Sequence, residues 1–356
     1  MKILQVIPYF CFGGAETMCE NLTYALRDLG HEVQVVSLYP ERTPISERME
    51  RSGVFIRYLD KKLGMDLSMV PKLAKILKEE KPDAVHTHLD VIKYTVAAAR
   101  LAGVKKCVHT VHNVADQEAE GRVQKIIHGF YFRHGWSVPV ALSPEVQRTI
   151  LSFYGLDADK VPVIYNGIDL GRCIPKGDYG LGDTPTLVHI GRFNEQKNHD
   201  LLLRAFQMVH QRFPQCRLQL LGDGELREAT EKLAGELGLQ DSVFFLGSQS
   251  NVYPYLAQAD AFLLPSKYEG MPMTLIEAMG TGLPIVASAV GGVPDMLTDG
   301  ESGLLVPCEA EAVSQAVIRL LESQPLRETL GKNALKESSR FSANHMAKQY
   351  LETYCS

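Results

Sequence analysis

Short apolar runs alternate along the chain with longer segments in which apolar positions recur every three or four residues. In the first half, Ile3–Ile7, Val33–Leu38, Val54–Tyr58, Ala84–Thr87, Lys106–Val111 and Val138–Leu142 read as strands. Between them, Ala15–Leu29, Met69–Lys78, Val91–Leu101 and Val123–Phe132 carry helical spacing, as in Leu22, Ala25, Leu26 and Leu29. Gly30 stands where the glycine past a helix C-terminus belongs. Strands alternating with helices of this length imply a parallel sheet covered on both faces.

The rhythm restarts after the Pro/Gly/Asp-rich stretch Asn166–Pro185. Leu187–Ile190, Leu218–Leu221, Val243–Leu246, Ala261–Leu264, Ile285–Ala287 and Leu304–Val306 are the extended runs, with helical patterns between them. Ala310–Leu321, Leu326–Glu337 and Asn344–Tyr354 close the chain as helices. The pattern predicts an α/β protein of two domains, residues 1–170 and 171–340 with a final helix at 341–356. Ligands of such sheets gather at the strand C-terminal ends, which predicts a cleft between the domains.

Composition narrows the class. A chain of 356 residues with 45% hydrophobic and 22% charged residues can bury two cores, which excludes a disordered chain, a coiled coil and a small disulfide scaffold. The net charge of −5 argues against a nucleic-acid binder. Residues 1–170 carry 21 Lys/Arg against 20 Asp/Glu, whereas residues 171–356 carry 16 against 22, so the first half is the one suited to an anionic surface. The cysteines are scattered without CxxC spacing, as expected of reduced thiols in a cytoplasmic protein. MKILQVIPYF reads as a first strand rather than a signal peptide, and no apolar run approaches the 18 residues of a membrane span.

The segment Glu269-Gly-Met-Pro-Met-Thr-Leu-Ile-Glu277 carries the most specific chemistry. Two glutamates eight positions apart are joined by a Gly/Pro loop that becomes a helix near Thr274. The free amides of Met273 and Thr274 suit an anion. One carboxylate can then accept hydrogen bonds from a sugar and the other from a ribose diol, as a nucleotide-sugar requires. In Gly191-Arg192-Phe-Asn-Glu-Gln-Lys197, Arg192 and Lys197 follow a strand end, where a guanidinium fork and an ammonium suit a diphosphate. They would also stabilise charge on a diphosphate leaving group. Gly13-Gly14-Ala15-Glu16 links the first strand and helix in a turn that permits close backbone approach. Gly222-Asp-Gly224 begins a dinucleotide fingerprint, but Arg227 occupies the third glycine's place, which disfavours a nicotinamide enzyme.

With GGAE at 13–16, VHN at 111–113, SPEV at 143–146, NGID at 166–169, GRFNEQK at 191–197, LLGDGE at 220–225 and EGMPMTLIE at 269–277, the chain resembles the retaining glycosyltransferases of family 4 over nearly its whole length. The resemblance implies the GT-B fold of two facing Rossmann-like domains with parallel sheets and an interdomain cleft, the first binding acceptor and the second the nucleotide-sugar. The final helix would pack back toward the N-terminal domain. It also implies roles: Arg192 and Lys197 on the donor diphosphate, Glu269 on donor-sugar hydroxyls, Glu277 on the ribose, and Gly13 and Gly14 under the donor phosphates. His112 would lie near the donor sugar, and Met271, Met273, Thr274 and Asn113 would line the substrate. No position of these motifs is lost, which argues for an active enzyme.

The resemblance to bacterial exopolysaccharide and surface-polysaccharide transferases implies a hexose or N-acetylhexosamine moved with retention from a nucleoside diphosphate sugar, UDP favoured. The acceptor would be a glycan or a polyprenyl-diphosphate-linked sugar, with no metal and no other cofactor. Two rival readings remain: an enzyme like UDP-N-acetylglucosamine 2-epimerase, and a non-catalytic nucleotide-sugar-binding subunit. His86 and His88 lie on one strand face but lack a third ligand, and Asp157-Ala-Asp159 lies in a polar turn, so neither predicts a metal site. Arg122–Trp136 mixes Arg122, Lys125, His128, Arg133 and His134 with Ile126, Ile127, Phe130, Tyr131, Phe132 and Trp136. It fits either a peripheral surface on the inner face of a membrane or a core helix with a solvated side. Lys61, Lys62, Lys72, Lys75 and Lys78 would extend its basic face.

Overall fold

The computed structural model describes residues 1–10, 13–119 and 121–356. The apolar runs become two six-stranded sheets, each parallel throughout, in two structural units comprising residues 1–167 with 343–356, and residues 168–342.

The first unit contains β1 (Lys2–Ile7), α1 (Gly14–Asp28), β2 (Glu32–Ser37), α2 (Pro44–Arg51), β3 (Phe55–Tyr58), α3 (Met69–Glu80) and β4 (Ala84–His88). It continues with α4 (Ile92–Ala102), β5 (Lys106–Val111), α5 (Ala115–Glu118), α6 (Arg122–Arg133), β6 (Val138–Ala141) and α7 (Pro144–Tyr154). Its sheet order is β3-β2-β1-β4-β5-β6, so the direction of winding reverses between β1 and β4. Leu4, Val6, Val36 and Val85 pack with Leu73, Leu77, Ile92 and Val96 in the main core of this unit.

The second unit contains β7 (Thr186–Ile190), α8 (His199–Arg212), β8 (Arg217–Leu221), α9 (Arg227–Glu236), β9 (Val243–Gly247), α10 (Tyr253–Gln258) and β10 (Ala261–Leu264). Then come α11 (Met273–Thr281), β11 (Ile285–Ser288), α12 (Val293–Met296), β12 (Leu304–Val306), α13 (Ala310–Glu322) and α14 (Gln324–Ser338). The order β12-β11-β10-β7-β8-β9 repeats the first topology, with reversal between β7 and β10. The chain then returns to the first unit, where α15 (Ala343–Cys355) lies against α1 and β5.

Local chemistry accounts for several element ends. Gly155 takes the left-handed conformation that ends α7, and Ser143 caps its start by accepting from the Val146 amide. The helix α2 escapes a periodicity reading because it spans only eight residues; a capping box at Thr43 and Ser46 and a proline at its first position specify it instead. Among the described residues, no helix is long and apolar enough to cross a membrane.

The middle strands break the apolar rule. His86, Thr87 and His88 on β4 and His109 and Thr110 on β5 are all buried. Polar side chains inside a covered parallel sheet need partners. Thr110 Oγ1 lies 2.7 Å from both His86 Nε2 and the Tyr350 hydroxyl, and the Tyr354 hydroxyl lies 2.7 Å from His86 Nδ1. Thus α15 supplies two of the hydroxyls that satisfy this interior.

Candidate active site

In each unit the residues singled out from sequence gather at strand C-terminal ends beside the topological reversal, where open parallel sheets bind ligands. In the second unit, Gly191 and Arg192 follow β7, and the loop carrying Glu269 follows β10. Lys197 reaches from the first loop to the second: its Nζ donates to Glu269 Oε1 at 2.6 Å. Gln196 donates to Glu269 Oε2 at 3.3 Å and to the Tyr268 carbonyl at 3.0 Å, so one loop aligns both oxygens of the carboxylate. Glu269 is buried and Lys197 partly so, and losing the lysine would leave a desolvated carboxylate in place.

Arg192 stands apart from that pair. Its guanidinium donates to Glu225 Oε2 from Nε at 3.2 Å and from a terminal nitrogen at 3.1 Å. Both partners are more than half exposed, so the contact is weakly held. Two glycines fix the loops themselves. A side chain at Gly222 would place its Cβ 2.0 Å from the Gly191 carbonyl oxygen, and one at Gly291 would lie 1.7 Å from that of Glu269. Both have positive φ, 135° and 53°, in the region glycine favours. The GDG element therefore buttresses the arginine loop.

The helix α11 begins directly after Pro272, with Met273 as its first residue, and its opening amides face away from any intrahelical acceptor. Thr274 Oγ1 at this terminus is buried without a hydrogen-bond partner among the described residues. Met271, in the loop, and Met273, at the helix start, are both buried. One turn on, Glu277 is buried, and its carboxylate has no hydrogen bond among the described residues. Burial pushes it up to about 7, with the nearby Arg172 charge pulling the other way. Arg172 itself lies over the Tyr253 ring at 4.9 Å. The arrangement offers an anion the start of a helix, two cations, and a carboxylate able to accept from hydroxyls.

In the first unit Gly13 precedes α1 in extended backbone and Gly14 opens the helix; the Gly13 carbonyl accepts from the Thr17 amide at 3.1 Å and hydroxyl at 2.9 Å. His112 and Asn113 follow β5. Glu118, on the single turn α5, accepts from the His112 amide at 2.5 Å and the Asn113 amide at 3.1 Å. Its other oxygen lies 3.1 Å from His109 Nε2. Burial alone would raise Glu118, but the hydrogen bond and charge of His109 hold it below the usual range. The His112 ring meets His88, with Nε2 to Nδ1 at 3.1 Å, and burial pushes His112 down to about 4 despite the Glu118 charge.

Sequence reading did not single out Glu118, Gln196, Glu225, Gly291 or Gln5 as site residues. The available signal was the polar content of β4 and β5, which should have been apolar. The HxH pair is used up locally: His86 bonds Tyr354 and Thr110, while His88 bonds His112 and Gln5. Asp157 accepts from Lys160 at 2.8 Å across a single 3₁₀ turn. The expected continuous basic face on α3 is interrupted, since Lys72 pairs with Asp60 and Lys75 with Glu79.

This fold, with its paired switch-point sites, is that of a GT-B glycosyltransferase. Residues 12–172 match the family described as Glycosyltransferase Family 4, and residues 177–337 match Glycosyl transferases group 1. The D-inositol 3-phosphate glycosyltransferase of Nocardioides sp. is 31% identical over 76% of this chain and 67% of its own length. The UDP-Gal:alpha-D-GlcNAc-diphosphoundecaprenol alpha-1,3-galactosyltransferase of Escherichia coli is 28% identical over 80% of this chain and 79% of its own. Among solved structures, Anabaena HepE in complex with UDP and glucose superposes with a TM-score of 0.87 at 22% identity, covering all of both chains. The chain belongs to glycosyltransferase family 4, and it is a sugar-transferring enzyme rather than an epimerase or a binding subunit.

Proposed function

We propose that the enzyme transfers a hexose or N-acetylhexosamine from a UDP-sugar, with retention of anomeric configuration, to a glycan or polyprenyl-diphosphate-linked acceptor in bacterial surface-polysaccharide synthesis. The observation that carries this reading is the second unit's set of Arg192, Lys197, Glu269 and the start of α11, with the Glu277 carboxylate and the Thr274 hydroxyl unbonded among the described residues. In this reading Arg192, Lys197 and the amides of Met273 and Thr274 bind the diphosphate, without a metal. Glu269 accepts from hydroxyls of the sugar and Glu277 from the ribose diol.

The names of two comparators support the finer choices: HepE was solved with UDP and glucose, and the E. coli relative acts on a diphosphoundecaprenol-linked sugar. Gly13 and Gly14 allow close approach of substrate to the start of α1, and His112 and Asn113 face the sugar. As the bond from the anomeric carbon to phosphate breaks, the acceptor oxygen bonds to that carbon on the same face. Its proton passes to the departing phosphate oxygen. Arg192 and Lys197 stabilise the charge left on the diphosphate. The protein works in the cytoplasm, at the inner membrane face, with α6 toward an anionic bilayer.

The test is slow donor hydrolysis without acceptor, followed by proton NMR in EDTA. An α-linked UDP-sugar should release the α-anomer first, before mutarotation. Initial release of the β-anomer would overturn retention, and a strict divalent-ion requirement would overturn the metal-independent site.

A further inference from the structure

We infer that Gln5 and His88 are positioning residues that set the tautomer of His112, fixing its proton on Nε2 so that Nδ1 offers a bare lone pair to a substrate hydroxyl. The inference rests on the reading of His112 as a sugar-facing group and adds what holds it in one chemical form.

Thr23 donates its hydroxyl proton to the Cys19 carbonyl one turn back, at 2.7 Å. A carbonyl oxygen only accepts, so the single proton of Thr23 Oγ1 is committed there. Gln5, on β1, lies 2.6 Å from the same hydroxyl oxygen and must therefore present its NH2 group to it. The Gln5 nitrogen also lies 3.4 Å from the Cys19 carbonyl, consistent with that orientation. The amide is thereby oriented by its network, with Oε1 turned toward β4.

There Oε1 lies 2.9 Å from His88 Nε2. The amide oxygen only accepts, so His88 carries a proton on Nε2. Burial holds His88 well below the ordinary imidazole range, helped by the neighbouring His86, His112 and His109. A neutral ring has one proton, which leaves His88 Nδ1 as an acceptor. Its partner at 3.1 Å is His112 Nε2, which must donate. His112 is itself held neutral by burial, so its Nδ1 is unprotonated. Among the described residues nothing hydrogen-bonds to that nitrogen. Glu118 meanwhile accepts from the backbone amides of His112 and Asn113.

The chemical consequence is specific. In this form His112 accepts from a sugar hydroxyl and cannot donate to a phosphate or ring oxygen. The opposite tautomer would set two lone pairs against each other at 3.1 Å and turn an N–H toward the substrate. The relay therefore biases the site toward sugars that carry a hydroxyl at that point, since an acceptor covered by bound sugar and left unpaired discriminates strongly against the analogue lacking that hydroxyl.

Long-range proton–nitrogen NMR of histidine-labelled protein reads the tautomers directly, with His88→Asn and His112→Ala spectra giving the assignments. Wild type should show neutral Nε2–H rings at both positions between pH 6 and 8. The near-isosteric Gln5→Met should turn His112 into a mixture of tautomers and lower kcat roughly tenfold, with donor KM changed less than about twofold. An Nδ1–H ring at His112 in wild type, or unchanged His112 signals in Gln5→Met, would overturn the relay. The wild-type spectrum alone decides if Gln5→Met does not fold. Full turnover by His112→Ala would overturn the sugar-facing role while leaving the tautomer result standing.

Discussion

Glu277 is the residue where stability and binding pull in opposite directions. In the unfolded chain it titrates near 4.5, whereas burial raises it to about 7 in the fold. Between those values folding takes up a proton, so stability is lost as pH rises through this window and the full penalty stands above about pH 7. At about 1.4 kcal/mol per pH unit, that penalty is roughly 3 kcal/mol. Glu277→Gln should therefore melt several degrees above wild type at pH 8 and level with it at pH 4.5. Its affinity for UDP should fall about tenfold, because a carboxylate accepts from two ribose hydroxyls more strongly than an amide does. Superposed melting curves at pH 8 would contradict a buried carboxylate without partners. The positions of Arg192, Lys197, Glu269 and Glu277 were legible because each stands in a compact local motif. The partners Gln196 and Glu225 lie inside quoted motifs, yet their contacts run to loops about 73 and 33 positions away. No periodicity carries such information, and Gln5, placed 83 positions from His88, is hidden for the same reason.

Among the elements, α6 separates two readings that the sequence held together. His128, Tyr131 and Phe132 are buried, so one side is core, whereas Val123, Ile126 and Phe130 are 61%, 66% and 40% exposed on another. That apolar stripe follows helical spacing and is flanked by Arg122 and Lys125, the mixture an anionic interface attracts. Lys125 also lies 3.8 Å over the Phe153 ring, and Arg133 donates to the Tyr154 carbonyl, so part of the basic character is already engaged. Sedimentation with vesicles containing anionic lipid should pull down the wild type, and neutral vesicles should not. Ile126→Glu with Phe130→Glu should weaken the anionic binding about tenfold or more while leaving the melting temperature nearly unchanged. Equal binding by this double variant would contradict docking through α6. Strong helical periods such as α1 and α13 were readable to within one or two residues. The single turn α5 was not, although it carries Glu118; four residues are too few for a period to register.

At the scale of the whole molecule, buried neutral histidines dominate the acid side of stability. Burial lowers His86, His88, His112 and His128 in the first unit and His189 and His199 in the second. Unfolded histidines protonate near pH 6.5, so below that value the unfolded state binds more protons and stability falls. Each ring that stays neutral contributes roughly 1.4 kcal/mol per pH unit to the fall, until the pH reaches its folded value. Glu277 acts in the opposite direction but is one group against six. The melting temperature should thus drop steadily from pH 7 to pH 5; a flat profile would mean that the rings are charged or solvated in the fold. The α/β class and both sheets were legible from the alternation of runs, because covered parallel strands are mostly apolar along their length. The polar interior of β4 and β5 was not, since its partners on α15 arrive from the far end of the chain.

Thermal stabilisation by UDP-, GDP- and ADP-sugars in EDTA reads the donor site at Arg192, Lys197, Glu269 and Glu277. UDP-sugars alone should stabilise the wild type, by about 2.7 kcal/mol at a hundred times Kd. Arg192→Ala and Glu277→Ala should each abolish the shift at the same concentration. Stabilisation that survives both substitutions, or none with any donor, would contradict the site.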